Sequence, residues 1–168
     1  MQRFGLIYSQ NWYLNMDSWQ RELVRTSLEL YAREERMHSL FADYSFIIFP
    51  MAKAYEGFLK DYFYKTGLID QQTYNDKRFR IGRALNPDVN PDRRDELWVF
   101  GRIADACGIE LARHFWETWL TCRNQVFHYF PNNQKKLSLL DVAIDIERIA
   151  STIEQAYQCE WIDHKGRL

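Results

Sequence analysis

Three polar residues in the second half of the chain are of types that together can cleave a phosphodiester bond. Arg123, Asn124 and His128 occur within six consecutive positions, between Cys122 and Pro131. An imidazole exchanges its proton near neutral pH, an arginine keeps its charge and offers phosphate a fork of donors, and an asparagine can orient either group. RNA can be cleaved without a metal ion because it carries its own nucleophile, the 2′-hydroxyl, and these side chains are of the types that suit the roles of base, cation and orienting group.

A long helix is predicted to position these residues. The segment 109–130 is rich in apolar residues, and Pro131 is expected to end the helix, with His128 in its last turn. The most apolar stripe at helical spacing consists of Ala112, Trp116, Trp119, Leu120 and Phe127. Arg123 falls within this stripe, where a guanidinium needs a paired carboxylate or a water-filled cleft.

The spacing of Arg123 and His128 poses a geometric problem. Residues five apart on a straight α-helix differ by about 140° around its axis, so the two side chains point in different directions. The helix can break near Arg123, the arginine can curl round, or two subunits can each contribute to one site. An alternative is that Arg123 is structural, paired with a carboxylate, while His128 caps the helix end.

Arg-x4-His with an asparagine directly after the arginine, on a helix followed by a loop and a last helix, resembles the HEPN superfamily. These are small all-α domains, many of them metal-independent ribonucleases that act as toxins or in phage defence. The resemblance covers about residues 42–158 and implies a single-domain, up-and-down helical bundle. Residues 1–41 are then an N-terminal extension with one helix.

The resemblance also implies partners. HEPN nucleases are dimers whose paired motifs form one cleft, so RNA and a second copy of the chain are expected, and a toxin would have a cognate antitoxin protein. Toxins that a nucleotidyltransferase antitoxin modifies carry Arg-x4-His-x-Tyr. Here Phe130 occupies the tyrosine position and Tyr129 precedes it, which favours an RNase LS-like or other stand-alone nuclease. Tyr129 is expected to stack on an RNA base.

Two further helices precede the Arg-x4-His segment. The first is predicted to begin at Asp17 or Ser18 and to end near residue 37. The second runs over about 42–65, with a kink or a start near residue 49 caused by Pro50, and Gly67 beyond its end. It carries Glu56 and Lys60, four apart. They form either an ordinary surface ion pair or, as in many HEPN nucleases, supporting polar residues directed at the motif.

A basic segment lies between these helices and the motif. A short helix is expected over 76–85, a helix from Asp92 to about residue 107, and a last helix over 139–158. Six basic side chains lie between 77 and 94, against two acidic ones, in a chain of net charge -1. The expected RNA-backbone contacts are Lys77, Arg78, Arg80 and Arg83. A solvated loop explains the same charges equally well.

Composition bounds the remaining possibilities. The 168 residues are 46% hydrophobic, which is enough for one domain with a core that needs no metal or disulfide. Cys107, Cys122 and Cys159 have neither zinc-site nor disulfide-framework spacing, so we expect reduced thiols, no metal site and no cofactor. Without a signal peptide or an apolar segment long enough to span a bilayer, the sequence predicts a cytoplasmic protein with no membrane association.

Overall fold

Every regular element that the structure describes is helical. The structure is a computed structural model that describes residues 3–38, 40–129, 131 and 135–159. In chain order the helices are α1 (Ser18–Met37), α2 (Ser45–Lys65), α3 (Gln71–Asn75), α4 (Ile81–Leu85), α5 (Phe100–Cys107), α6 (Ile109–Trp119) and α7 (Leu139–Tyr157). They pack around one hydrophobic core, which confirms the predicted all-α single domain. None of the helices described is long and apolar enough to cross a membrane.

The N-terminal residues are part of this core. Asp17 caps α1 by accepting a hydrogen bond from the backbone N–H of Gln20, as predicted. The apolar face of α1 then packs along α2, where the Ser27 hydroxyl donates to the carbonyl of Ile47 at 2.7 Å. Ahead of α1, two short helical turns bury apolar side chains against the same core. Those side chains are Phe4, Ile7, Trp12 and Met16.

Helix α2 runs through the centre of the domain. It begins at Ser45, so the predicted start at 42 is slightly early and the proposed start near 49 is wrong. Pro50 lies inside the helix, which continues past it although one backbone hydrogen bond is lost. Beyond the C-terminus, Gly67 adopts a φ of 72°, a left-handed conformation that suits glycine and confirms the predicted stop. The buried face of α2 consists of Ile47, Met51, Tyr55, Phe58 and Tyr62.

Helix α7 closes the other side of the core. Its N-terminus carries the predicted capping box, in which the Ser138 hydroxyl accepts from the Asp141 backbone and the Asp141 carboxylate accepts from the Ser138 backbone. One face of the helix is fully buried against α2 and α6. The residues that contribute to this face include Val142, Ile146, Ile149 and Ile153.

The segment before α5 differs from the prediction. Instead of one helix over 76–85, α3 ends at Asn75 and α4 begins at Ile81, with extended backbone at Asp76 and Arg80. The next helix starts at Phe100 and not at Asp92, because side chains hold residues 86–98 as a loop. The Arg94 guanidinium donates to two loop carbonyls, and the Trp98 indole donates to the carbonyl of Asn86. These bonds join side chains to carbonyls 5, 7 and 12 residues away and leave no periodic pattern in the sequence.

The prediction of three reduced cysteines is also wrong. Cys107, the last residue of α5, forms a disulfide with Cys159, just beyond α7, with a Cα–Cα distance of 5.6 Å. The two cysteines are 52 residues apart in sequence, so their pairing could not be predicted before the fold showed that they are close. Cys122 is buried as a free thiol, and burial raises the pKa of that thiol.

Candidate active site

The predicted long helix changes its winding at Arg123. After α6 ends at Trp119, residues Leu120–Asn124 form a π-helical turn, in which the backbone N–H of Gln125 bonds to the carbonyl of Leu120, five residues earlier. A last α-turn ends at Phe127, and His128 has extended backbone with φ −107° and ψ 135°. The helix is therefore continuous to Phe127 and has a wider turn at Leu120–Asn124, not the predicted break near Arg123.

This change of winding brings the two key side chains together. Arg123 Nη1 lies 3.4 Å from His128 Nε2 within one chain. A guanidinium only donates hydrogen bonds, so the contact is a hydrogen bond in the tautomer whose Nε2 carries no proton. The contact thus places a cation and an imidazole side by side.

Glu56 on α2 holds the arginine. Its Oε1 atom lies 2.9 Å from Arg123 Nε and also accepts a hydrogen bond from Trp119 Nε1 at 3.4 Å. The side chains of Arg123 and Glu56 are 30% and 29% exposed, so the ion pair is half-buried. Glu56 pairs with Arg123 and not with Lys60, whose ammonium instead donates to the carbonyl of Tyr74. The ordinary surface ion pair between Glu56 and Lys60 is therefore ruled out.

The Arg123–His128 contact lines a cleft of about 900 Å³. Residues from α1, α2, α4, α6 and the π-turn form its walls. Asn124 also lines it, as do Glu56 and Lys60, so the three predicted catalytic residues and both supporting residues share one cavity. Its volume is near the upper end of the range for small-molecule sites, which leaves room for more than one nucleotide.

Tryptophans form much of the apolar wall of the cleft. Trp116 and Trp119 stack with ring centroids 5.7 Å apart and an interplanar angle of 18°, and both are only partly buried. They belong to the predicted apolar stripe, of which only Ala112 is fully buried, while Trp116, Trp119 and Phe127 pack against the edge of the core. The core face of this segment is instead Leu111, Ala112, Phe115, Thr118 and Cys122. Gly82 on α4 allows Trp119 to approach, because a Cβ at Gly82 would overlap the indole ring.

Only part of the predicted basic surface reaches the cleft. Arg80 and Arg83 line it, but the Arg83 guanidinium makes two bonds to the Asp95 carboxylate, at 2.8 and 3.1 Å. Lys77 and Arg78 are exposed and are not among the lining residues.

The predicted base-stacking residue also lies elsewhere. Tyr129 is 78% exposed and is not among the residues that line the cleft. Phe130 lies outside the described residues.

The sequence did not single out several residues that form the cleft. At one side, the Asp61 carboxylate accepts hydrogen bonds from the Tyr74 hydroxyl at 2.6 Å and from Gln20 Nε2 at 2.7 Å. The bond to Asp61 raises the pKa of Tyr74 to about 12, so its hydroxyl stays protonated. Trp19 and Lys53 also line the cleft. A polar stripe on α2, with Lys53, Glu56 and Lys60 at helical spacing, was the available signal.

A residue beyond the motif supports the π-turn. Lys135 Nζ donates to the carbonyl of Thr121 at 2.9 Å. Because the N–H of Gln125 bonds to Leu120, that N–H does not serve Thr121 as it would in an α-helix. Lys135 therefore stabilises the winding that aligns Arg123 with His128.

Neither a group of metal ligands nor a related protein helps to identify the site. Among the residues described, no group of three His, Cys, Asp or Glu side chains is arranged to hold a metal ion. No family model, no curated protein and no solved structure matches the chain. Membership of the HEPN superfamily therefore stays a prediction that rests on the residues quoted from the sequence.

Proposed function

We propose that this protein is a metal-independent endoribonuclease of HEPN type, acting as a toxin or in phage defence. The observation that carries the proposal is the 3.4 Å contact between Arg123 Nη1 and His128 Nε2 on the wall of a large cleft. The cleft offers a cation for phosphate and an imidazole nitrogen able to accept a proton. These are the two groups that cleavage by a 2′-hydroxyl requires.

In the proposed reaction Arg123 Nη1 turns from His128 Nε2 to the phosphate, and the Nε2 lone pair that this frees takes the proton from the ribose 2′-hydroxyl. The 2′-oxygen attacks the adjacent phosphorus, and the bond from phosphorus to the 5′-oxygen of the next nucleotide breaks. The products are a 2′,3′-cyclic phosphate and a 5′-hydroxyl, whose proton comes from solvent. Arg123, held by Glu56, stabilises the charge that develops on the phosphoryl oxygens. Asn124 lines the same cleft and orients the phosphate.

Cleavage of labelled RNA in the presence of EDTA tests this proposal. We expect activity to persist under chelation, the 5′ fragment to end in a 2′,3′-cyclic phosphate and the 3′ fragment to begin with a 5′-hydroxyl. His128→Ala should abolish cleavage, whereas His114→Ala should not, because His114 lies on α6 and contacts Gln155 outside the cleft lining. Full loss of activity in EDTA, or equal activity of the His128→Ala variant, would contradict the mechanism.

A second candidate is a non-catalytic HEPN-like module that binds a nucleotide or a partner protein. The Arg123–Glu56 ion pair favours it, because an arginine satisfied by a carboxylate at 2.9 Å can be purely structural. Under this alternative the protein binds nucleotide or partner but leaves RNA intact. The His128→Ala variant would then bind the nucleotide or partner as the wild type does, and neither protein would cleave RNA.

We propose a homodimer and, for a toxin, a cognate antitoxin, both from the family resemblance. The angular mismatch no longer argues for a site shared between subunits, since Arg123 and His128 meet within one chain. If each chain holds a complete site, mixing Arg123→Ala chains with His128→Ala chains should restore no activity. Recovery in the mixture would indicate a shared site after all.

A further inference from the structure

We infer that the cleft continues past the Arg123–His128 pair into a second subsite, formed by Trp19, Lys53 and Arg80, which binds a single-stranded nucleic acid on one side of the scissile phosphate. This inference rests on the proposed ribonuclease function and extends it to the length of strand that the site holds. All three residues line the cleft that contains the catalytic pair.

Trp19 supplies a surface on which a base can stack. Its side chain is 59% exposed, which is unusual for the largest apolar side chain, and it lies at the start of α1. Lys53 Nζ lies 5.7 Å from the centroid of the Trp19 ring. An exposed indole with a cation beside it is the combination that binds a base and its adjoining phosphate in single-strand binding proteins.

The pattern of ion pairs in the cleft also favours an anion-binding subsite at Lys53 and Arg80. Arg123 is paired with Glu56, and Arg83 is paired with Asp95. By contrast, neither Lys53 nor Arg80 forms an ion pair with any carboxylate in the described part of the chain. The carboxylates of Asp17 and Asp61 also line the cleft, but they accept hydrogen bonds from Gln20 and Tyr74. Cations that no carboxylate contacts directly are available to phosphate, the anion that the proposed substrate supplies.

Helix geometry makes the two subsites neighbours along α2. Lys53 lies three residues before Glu56 on α2, so the two are separated by about 4.5 Å along the axis and share one face. Glu56 holds Arg123, which binds the scissile phosphate in the proposed reaction. A strand that contacts both positions must therefore place a neighbouring phosphate at Lys53 and a neighbouring base on Trp19. A short oligonucleotide, and not a dinucleotide, is the expected minimal substrate.

Binding of a fluorescent 2′-O-methyl oligonucleotide tests the subsite independently of catalysis, since this strand lacks the attacking hydroxyl. We expect Trp19→Ala to weaken binding about tenfold, with partial recovery in Trp19→Phe. Lys53→Gln should lower the slope of log affinity against log salt by about 0.7, the value for one single-strand phosphate contact. The matched control is Phe46→Ala, an aromatic that is 41% exposed outside the cleft lining.

Cleavage of unmodified RNA by the same proteins separates the two proposals. If the variants bind weakly and raise KM while kcat at saturation is unchanged, both proposals are supported. If the wild type cleaves nothing but its binding depends on Trp19 and Lys53, the subsite stands and the nuclease proposal fails. If Trp19→Ala and Lys53→Gln bind as the wild type and Phe46→Ala do, or if the wild type binds no oligonucleotide, the subsite inference is overturned.

Discussion

Replacing Arg123 by alanine separates a catalytic arginine from a structural one. The sequence alone places Arg123 on the apolar stripe, where replacing it would lower the free energy of unfolding by several kcal/mol. The structure lowers that figure, because Arg123 and Glu56 remain 30% and 29% exposed and the abandoned carboxylate can be hydrated. Exposed ion pairs contribute about 0–1 kcal/mol, and breaking fully buried ones costs about 3–5. We therefore expect a loss of about 1–2 kcal/mol for Arg123→Ala.

The corresponding fall in melting temperature is about 3–6 °C for a domain of this size. The rate of cleavage should fall far more, because in the proposed reaction Arg123 is the principal donor to the charge that develops on the phosphate. Loss of one such donor typically slows the chemical step about 100- to 1000-fold. The assay pairs a thermal melt with single-turnover cleavage, measured well below the melting temperature, so that unfolding does not contribute to the rate.

Arg3→Ala is the matched control. Arg3 pairs with Glu147 at 3.0 Å and lies over the ring of Phe4, just as Arg123 pairs with Glu56 and lies near the ring of Trp119. Its loss should lower stability by a similar or smaller amount and leave cleavage intact. The reasoning is refuted if Arg123→Ala costs more than about 3 kcal/mol, the range of buried pairs, or if both variants cleave RNA at the same rate.

Three further outcomes follow from individual contacts. Gly82→Ala should destabilise the fold by about 1–3 kcal/mol and slow cleavage, because a Cβ there displaces the Trp119 ring that bonds to Glu56; a melt and a rate measurement check it. Burial raises the pKa of the Asp145 carboxyl in the folded protein. Its contribution to the free energy of unfolding is present below the pKa of Asp145 in the unfolded chain and is lost as the pH rises through the folded-state pKa. Asp145→Asn should therefore raise the melting temperature at neutral pH but not in acid. Reducing the Cys107 disulfide should cost about 2–4 kcal/mol in chemical denaturation.

The sequence predicted those parts of the fold that have local causes. Asp17 and the Ser138–Asp141 box mark helix starts through side chains that reach the nearest free N–H groups, and Gly67 marks a helix end through its φ. The stretch between α3 and α5 was predicted poorly. There the backbone is held by bonds between distant residues, such as Arg83 to Asp95, which compete with helix formation and leave no periodic pattern.

In the candidate site, too, the residues that could be predicted are those that are close together in the sequence. Arg123, Asn124 and His128 are adjacent in sequence, so their types and spacing could be recognised at once. Glu56 could be placed near them only through the family resemblance. Trp19 and Lys53 come from two other helices, and only the packing of α1 against α2 brings them to the cleft. The Cys107–Cys159 pair escaped prediction for the same reason.

The π-turn links the fold to the proposed chemistry. A regular α-helix through residue 128 would direct Arg123 and His128 about 140° apart. The wider turn instead passes the N–H of Gln125 to Leu120, and Lys135 serves the carbonyl of Thr121. A winding that departs from the more stable α-form persists only where the surrounding structure supports it, and such turns are frequent at functional sites. The π-turn coincides with the segment that carries the proposed catalytic residues Arg123 and His128, and this coincidence supports the proposed site.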